Sequence, residues 1–143
     1  MMQAYLLELS AFGDEAPGAD GLFDLGPRLE AYWSEAGRYA LLFQVEGEIA
    51  GFCLVRQLEE HCRAIAEFYV VPRFRRSGVG AQAARTIFGM FVGRWQVGEL
   101  EKNKPAQKFW RRVIGDYTSG DYWEKWSQNH PTGPMQEFVS RPN

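Results

Sequence analysis

The stretch that most restricts what this chain can fold into is residues 67–80, Glu-Phe-Tyr-Val-Val-Pro-Arg-Phe-Arg-Arg-Ser-Gly-Val-Gly. Its aromatic and β-branched start reads as a strand ended by Pro72, and the basic loop after it carries Gly78 and Gly80. A helix follows at once through Ala81, Gln82, Ala83, Ala84, Arg85, Thr86, Ile87 and Phe88. A strand that feeds a glycine turn into a helix N-terminus builds a site for an anion. The first-turn N–H groups have no intrahelical acceptor, the dipole is positive at that end, and glycines present no Cβ to an approaching phosphate.

The rest of the chain supplies elements for that unit to pack against. Residues 4–12 have helical apolar spacing, and residues 28–36 form a second helix ended by Gly37. Between them, residues 13–21 are rich in Gly, Pro, Asp and Ala and read as an exposed loop, either disordered or a lid over a substrate. Residues 39–45 and 49–55 make a hairpin through Glu46, Gly47 and Glu48, and residues 57–62 a polar bend. Residues 63–71 are the strand that enters the glycine turn, with Phe68 and Val70 on one face and Glu67, Tyr69 and Val71 on the other. The following helix buries Val79, Ala83, Ile87 and Phe91 and ends at Gly93. Residues 94–100 read as a strand. Asn103 and Pro105 then open a helix with Ala106, Phe109, Trp110, Val113 and Ile114 on its apolar stripe, stopped by Gly115. Strands near 117–126 and 135–139, joined by a turn at 129–134, complete the order. It predicts an α/β fold in a single domain, residues 1–143, with a mixed sheet flanked by helices.

At 143 residues the chain can bury a core without disulfides or metal. A formal net charge of -2 argues against wholesale binding to nucleic acid or an anionic membrane. Cys53 reads as a buried small hydrophobe and Cys62 as part of the polar bend. Neither has zinc-ligand spacing, and His61 and His130 are isolated in polar turns, so no metal site is expected. The absence of a basic-then-apolar leader and of a membrane-length run makes cytoplasmic the expected location.

Val70-Val71-Pro72 followed by Arg75-Arg76-Ser77-Gly78-Val79-Gly80 resembles the signature of the GNAT family of N-acetyltransferases. That signature is an Arg or Gln, two variable positions, Gly, one variable position, then Gly or Ala. Downstream, Asn103, Ala106, Phe109, Trp110 and Gly115 resemble the family's second motif, an N-x-x-A-x-x-x-Y-x-x-x-G helix. The resemblance is specific over residues 49–116. It implies the GNAT fold, acetyl-CoA as co-substrate without a metal, and acetyl transfer to a primary amine on a small molecule or peptide. Phe68, Tyr69 and Val70 would offer strand backbone to the pantetheine arm. Arg75, Arg76, Ser77, Gly78, Val79, Gly80 and Ala81 would hold the CoA pyrophosphate, and Asn103 would contact the pantetheine or shape its channel. Trp110 stands where many relatives place a tyrosine that protonates the departing thiolate. An indole N–H is no acid near neutral pH, so Tyr69 or Tyr122 could replace it, or Trp110 could be a core aromatic.

An amine must be neutral to attack a thioester, so something must take its proton. Glu67 is the first candidate, with a strand-face ion pair to Arg63 as its alternative; Glu99 and Glu101 are further candidates, and Gly98 occupies the position that often carries the family's base. No cysteine sits where a covalent acetyl carrier would be expected, which favours direct attack in a ternary complex. The cluster Arg73, Arg75 and Arg76 is short, and the CoA phosphates that the resemblance implies would account for it, so no nucleic-acid partner is expected. Tyr32, Trp33, Tyr122, Trp123 and Trp126 could line a pocket for a cationic amine or belong to the core. The last strands of this fold often take part in dimers, which makes a homodimer an expected assembly. The rival reading is a catalytically weak or inactive acyl-CoA-binding or protein-interaction module on the same fold, kept open by Trp110.

Overall fold

The computed structural model describes residues 36–129 and 131–142. The expected helices at 4–12 and 28–36 and the loop at 13–21 lie outside the described residues, as does His130. Six strands and two longer helices follow: β1 (Arg38–Val45), β2 (Glu48–Glu59), β3 (Cys62–Val70), α1 (Val79–Met90), β4 (Gly93–Gly98), α2 (Lys104–Thr118), β5 (Trp123–Ser127) and β6 (Gly133–Ser140). A single 3-10 turn, Pro72–Phe74, joins β3 to the loop before α1. The strands form one mixed sheet in the order β1-β2-β3-β4-β6-β5, in which only β3 and β4 run parallel, joined by the α1 crossover.

The β1–β2 hairpin turns on Glu46 and Gly47, both at positive φ (50° and 82°), the backbone of a two-residue turn whose twist suits the flanking strands. β2 runs on to Glu59, so the polar stretch expected as a bend is the exposed end of a strand; the turn itself is Glu60 and His61, with His61 at φ 60°. Cys62 consequently opens β3 and is buried instead of lying in a polar bend.

Both helices pack on one face of the sheet. Their Ala84, Ile87, Phe88, Trp110, Val113 and Ile114 meet Cys53, Val55, Trp95, Val97 and Phe138 in one aromatic-rich cluster. Phe88 is its hub, edge-on to Trp95 and Phe138 with centroids 5.1 and 4.8 Å away. On the other face Phe52, Leu54 and Tyr69 form a smaller cluster with Val71, so β2 is buried on both sides. The faces of β3 divide as expected: Phe68 and Val70 touch the larger cluster, Tyr69 and Val71 the smaller.

Two element boundaries differ from expectation. α1 ends at Met90, and Gly93, at φ 133°, opens β4 rather than closing the helix. α2 runs through Gly115 to Thr118, because the backbone that ends it lies further on. Ser119 and Gly120 turn left-handed (φ 54° and 83°), and the Gly120 N–H returns to the Gly115 carbonyl at 2.8 Å. The next strand therefore starts at Trp123, not 117.

Candidate active site

Two features of the sheet make an opening in its middle. The parallel pairing of β3 and β4 stops at Ile65 opposite Val97, although β3 continues to Val70. At that level β3 carries a bulge: Leu54 pairs with Glu67 and Val55 with Ile65, so Ala66 is passed over and stands exposed. A bulge bends its strand and lets both Ile65 and Phe68 face the helices, which strict alternation would forbid. On the other side β4 leans toward β6. Past Gly98, the Glu99 N–H bonds the Pro134 carbonyl and the Glu101 N–H bonds the Thr132 carbonyl, each at 3.0 Å. Beyond residue 65, the β4-facing edge of β3 is thus paired to no strand among the described residues, and this is where Phe68, Tyr69 and Val70 lie.

The loop after β3 is built as a cradle. The Arg75 Nε donates to the Val70 carbonyl at 2.8 Å, and its guanidinium lies 5.3 Å from the centre of the Tyr69 ring. Arg73 pairs with Glu48 and so ties the turn to β2. The Ser77 hydroxyl donates to the Phe74 carbonyl at 2.6 Å. Arg76 (φ 63°) and Gly78 (φ 84°) both turn left-handed, and Gly78, the N-cap of α1, supplies no side-chain cap. The first turn of α1 contains no acidic residue. Residues 75–78 are exposed. The result is a twelve-residue helix that starts beside two arginines and, among the described residues, has no side-chain cap and no acidic residue in its first turn.

The two glycines of the motif do different work. A Cβ on Gly78 would meet nothing within 4 Å, so its left-handed backbone is the reason for glycine there. A Cβ on Gly80 would come 3.2 Å from Val70 Cγ2 and 3.3 Å from Phe109 Cε1, so Gly80 is buried to let α1 close on β3 and α2. Val79 is half-buried, and Ala81 packs at the edge of the larger cluster.

Asn103 is the N-cap of α2, its Oδ1 accepting the Ala106 N–H at 3.2 Å. Trp110 is buried, edge-on to Phe68 at 4.8 Å and to Phe109 at 4.9 Å, so its indole backs the β3 wall of the opening. Tyr69 is buried in the smaller cluster and Tyr122 is half-buried near Gly115. Glu67, half-buried, pairs with Leu54 and so stands on the face away from the helices. Its carboxylate adds to the burial that pushes the Cys53 thiol far above its ordinary range.

Glu99 sits opposite, two residues past the last β3–β4 pair, on the helix side. It is 3% exposed, and burial pushes its carboxyl up to about 8, against a hydrogen bond from Gln136 that pulls it down. The Gln136 Nε2 donates at 2.9 Å to Glu99 Oε1 and at 2.8 Å to Glu124 Oε1. Arg111 grips both oxygens of Glu124 (2.8 and 3.0 Å) and holds that carboxyl below its ordinary value. Sequence reasoning ranked Glu99 below Glu67 and missed Arg111, Glu124 and Gln136. One signal was present: alternation from Trp95 and Val97 carries a carboxylate onto the core face of β4. Among the described residues no group of three or more His, Cys, Asp and Glu side chains could hold a metal ion.

The arrangement resembles known proteins at two levels. The family model described as "Acetyltransferase (GNAT) family" matches residues 4–115. No curated sequence matches the chain. Among solved structures, an acetyltransferase from Thermus thermophilus superposes with a TM-score of 0.68 at 15% identity, over 94% of this chain and 82% of that one. The ribosomal-protein-S18-alanine N-acetyltransferase of Escherichia coli gives 0.56 at 12% identity over 81% and 77%. An aminoglycoside 6'-N-acetyltransferase complexed with coenzyme A gives 0.54 at 13% over 88% and 87%. At these identities the likeness is one of fold, the mixed sheet with two helices on the face that opens. With more than three quarters of its length matched by the family model, the chain belongs to the GNAT acetyltransferase family.

Proposed function

We propose that this chain transfers an acetyl group from acetyl-CoA to a primary amine by direct attack in a ternary complex. The observation that carries the reading is the pairing of an open, uncapped α1 N-terminus with an unpaired β3 edge running away from it. An anion of the size of a pyrophosphate fits the first, with Arg75, Arg76, Ser77, Gly78, Val79, Gly80 and Ala81 around it. An amide-bearing arm fits the second, taking backbone hydrogen bonds along Phe68, Tyr69 and Val70 as an added strand would. Asn103 supports the α2 end of the channel, and Trp110 lines its wall behind Phe68. Bound there, acetyl-CoA supplies an activated acyl group. The chain's own part is to orient it, exclude water and handle protons.

Two carboxylates near the opening are candidates to take the amine's proton, Glu67 on the face of β3 away from the helices and Glu99 on the helix side beyond β4. The coenzyme A bound by the aminoglycoside acetyltransferase of the same fold supports the cofactor half of the reading. A small-molecule or peptide amine is the acceptor class, a homodimer the assembly, and the cytoplasm the location that we propose. No helix among the described residues is long and apolar enough to cross a membrane.

The test is calorimetric titration with acetyl-CoA, together with CoA release on spermidine, kanamycin and an alanine-initiated peptide. Gly78→Glu is expected to weaken acetyl-CoA binding by about a hundredfold or more, through loss of charge-assisted hydrogen bonds. Gly78→Ala, which strains the same backbone without a charge, should keep most of the affinity. Equal affinities for wild type and Gly78→Glu would remove the pyrophosphate assignment. Tight binding without turnover on any amine would favour the inactive acyl-CoA-binding module.

A further inference from the structure

The polar cluster between β4, β6, β5 and α2 leaves two atoms unanswered. Glu99 Oε2 and Gln136 Oε1 are buried side-chain oxygens with no hydrogen-bond partner, in residues 3% and 0% exposed. Buried polar atoms are ordinarily paired, and each orphan is costly. With Glu99 ionised both orphans are acceptors, so what the cluster then lacks is a donor. The two residues are already joined at 2.9 Å through Glu99 Oε1 and Gln136 Nε2, yet their remaining oxygens do not satisfy each other.

The surrounding charges are committed elsewhere. From α2, Arg111 spends Nε and one terminal nitrogen on the two oxygens of Glu124, with Tyr122 as a further neighbour of its charge. From β5, Glu124 takes the second hydrogen of the Gln136 amide. From β6, Gln136 is thereby fixed with its nitrogen toward the two carboxyls and its oxygen left over. The cluster thus holds one carboxylate in place beside a cation, Arg111, that acts on it only through space because its hydrogen bonds go to Glu124, and it does so two residues past the point where β3 and β4 part.

We propose that the acceptor's ammonium docks on Glu99 Oε2 and Gln136 Oε1, and that Glu99 takes its first proton. This rests on the acetyl-transfer function proposed for the chain. An ammonium brings three N–H donors, the groups that two buried acceptors lack. The steps balance without a further acid. One proton passes from the ammonium to the Glu99 carboxylate, and the neutral nitrogen attacks the thioester carbonyl. The C–N bond forms, the C–S bond breaks, and the second N–H proton leaves with the thiolate as CoA-SH. Glu99 then returns its proton to water. A tyrosine at the Trp110 position is unnecessary on this route. The raised proton affinity of Glu99 suits it: a carboxyl near 8 takes a proton from an ammonium far more readily than an ordinary carboxyl does. Gln136 acts as a positioning residue and Glu99 as the catalytic one.

The test uses the full chain with glutamate labelled at Cδ, the Glu99 carbon signal being assigned by its loss in Glu99→Gln. Spermidine, kanamycin and an alanine-initiated peptide are titrated in turn with CoA present. The Glu99 signal should move saturably with at least one amine, and its titration midpoint should fall as the ammonium settles beside it. In parallel, kcat/KM for the best amine should rise with pH through about 8 in the wild type. Glu99→Gln should lose about a hundredfold or more in kcat and flatten that limb, with acetyl-CoA affinity held within about twofold. A purely structural role would lower the rate evenly and leave the limb in place. Unchanged turnover in Glu99→Gln, or a Glu99 signal indifferent to every amine, overturns the proposal while acetyl transfer stands. Failure of the wild type to bind acetyl-CoA instead overturns the acetyl-transfer reading itself.

Discussion

At the scale of single residues, the fold holds Glu99 where its neutral form is favoured. The carboxyl ionises near 4.5 in an unfolded chain and near 8 in the native one. Between those values the native state keeps a proton that the unfolded chain has lost, so stability falls as pH rises across the window and the cost is complete above about 8. Each tenfold difference in proton affinity is about 1.4 kcal/mol, so ionised Glu99 is a substantial internal load. Glu99→Gln removes the titration. Its melting temperature should fall less than that of the wild type between about pH 5 and about pH 8.5, and the variant should be the more stable protein at the upper end. Parallel curves by differential scanning calorimetry would contradict this. Glu124 and Glu137 have the opposite sign. The Arg111 hydrogen bonds hold Glu124 low. At Glu137 burial pulls upward, but Lys125, at 2.8 Å, and Arg94 outweigh it. Their stabilisation is present above the ordinary carboxylate range and is lost as pH drops through the depressed values.

Among the elements, α1 is positioned by what is missing from it. Gly80 lets the helix approach β3 and α2 at the same point, and any side chain there must displace Val70 or Phe109. Gly80→Ala gains about 1 kcal/mol of helix propensity but overpacks a site with two fixed neighbours, at a cost of about 1–3 kcal/mol. The expected result in urea denaturation is a net loss of about 1 kcal/mol. It should be accompanied by weaker acetyl-CoA binding, because the N-terminus of α1 is pushed off the end of β3. A stabilised variant would show that Phe109 yields freely. The same helix illustrates what sequence can convey. Pro72, the arginines and the glycine spacing placed strand, turn and helix within a residue or two, since each is a local backbone requirement. The left-handed end of α2 at Ser119 was hidden, because Gly115 offered a more conventional stop and helix ends depend on which carbonyl the chain returns to.

Over the whole molecule, the mixed sheet and the strand–turn–helix unit at its centre were legible, and the polar cluster around Glu99 was not. The legible unit rests on spacing along one stretch of chain. The other is assembled from Glu99, Arg111, Glu124 and Gln136, from three elements and the segment just past β4, and the order β4-β6-β5 brings them together. The bulge at Ala66 was equally hidden, since one extra residue in a run of alternating side chains leaves no mark in composition. Its effect on the sheet is that of an edge dislocation in a crystal. The side-chain rows of β3 are in step with β2 on either side of Ala66 but shifted in phase across it, and the opening lies where the mismatch reaches the β4 border. Deleting Ala66 heals the fault. With Ile65 kept in register, plain alternation then holds Phe68 and Val70 toward the aromatic core and Glu67 and Tyr69 away from it, the faces they already occupy. Near-UV circular dichroism should therefore survive that one-alanine deletion while acetyl-CoA affinity falls, because β3 loses its bend at the opening; Ala66→Ser, which keeps the count, should be close to neutral in both. A site of this kind is set by the number of residues in a strand as firmly as by their identity, so its tolerance for substitution and its tolerance for deletion are different quantities.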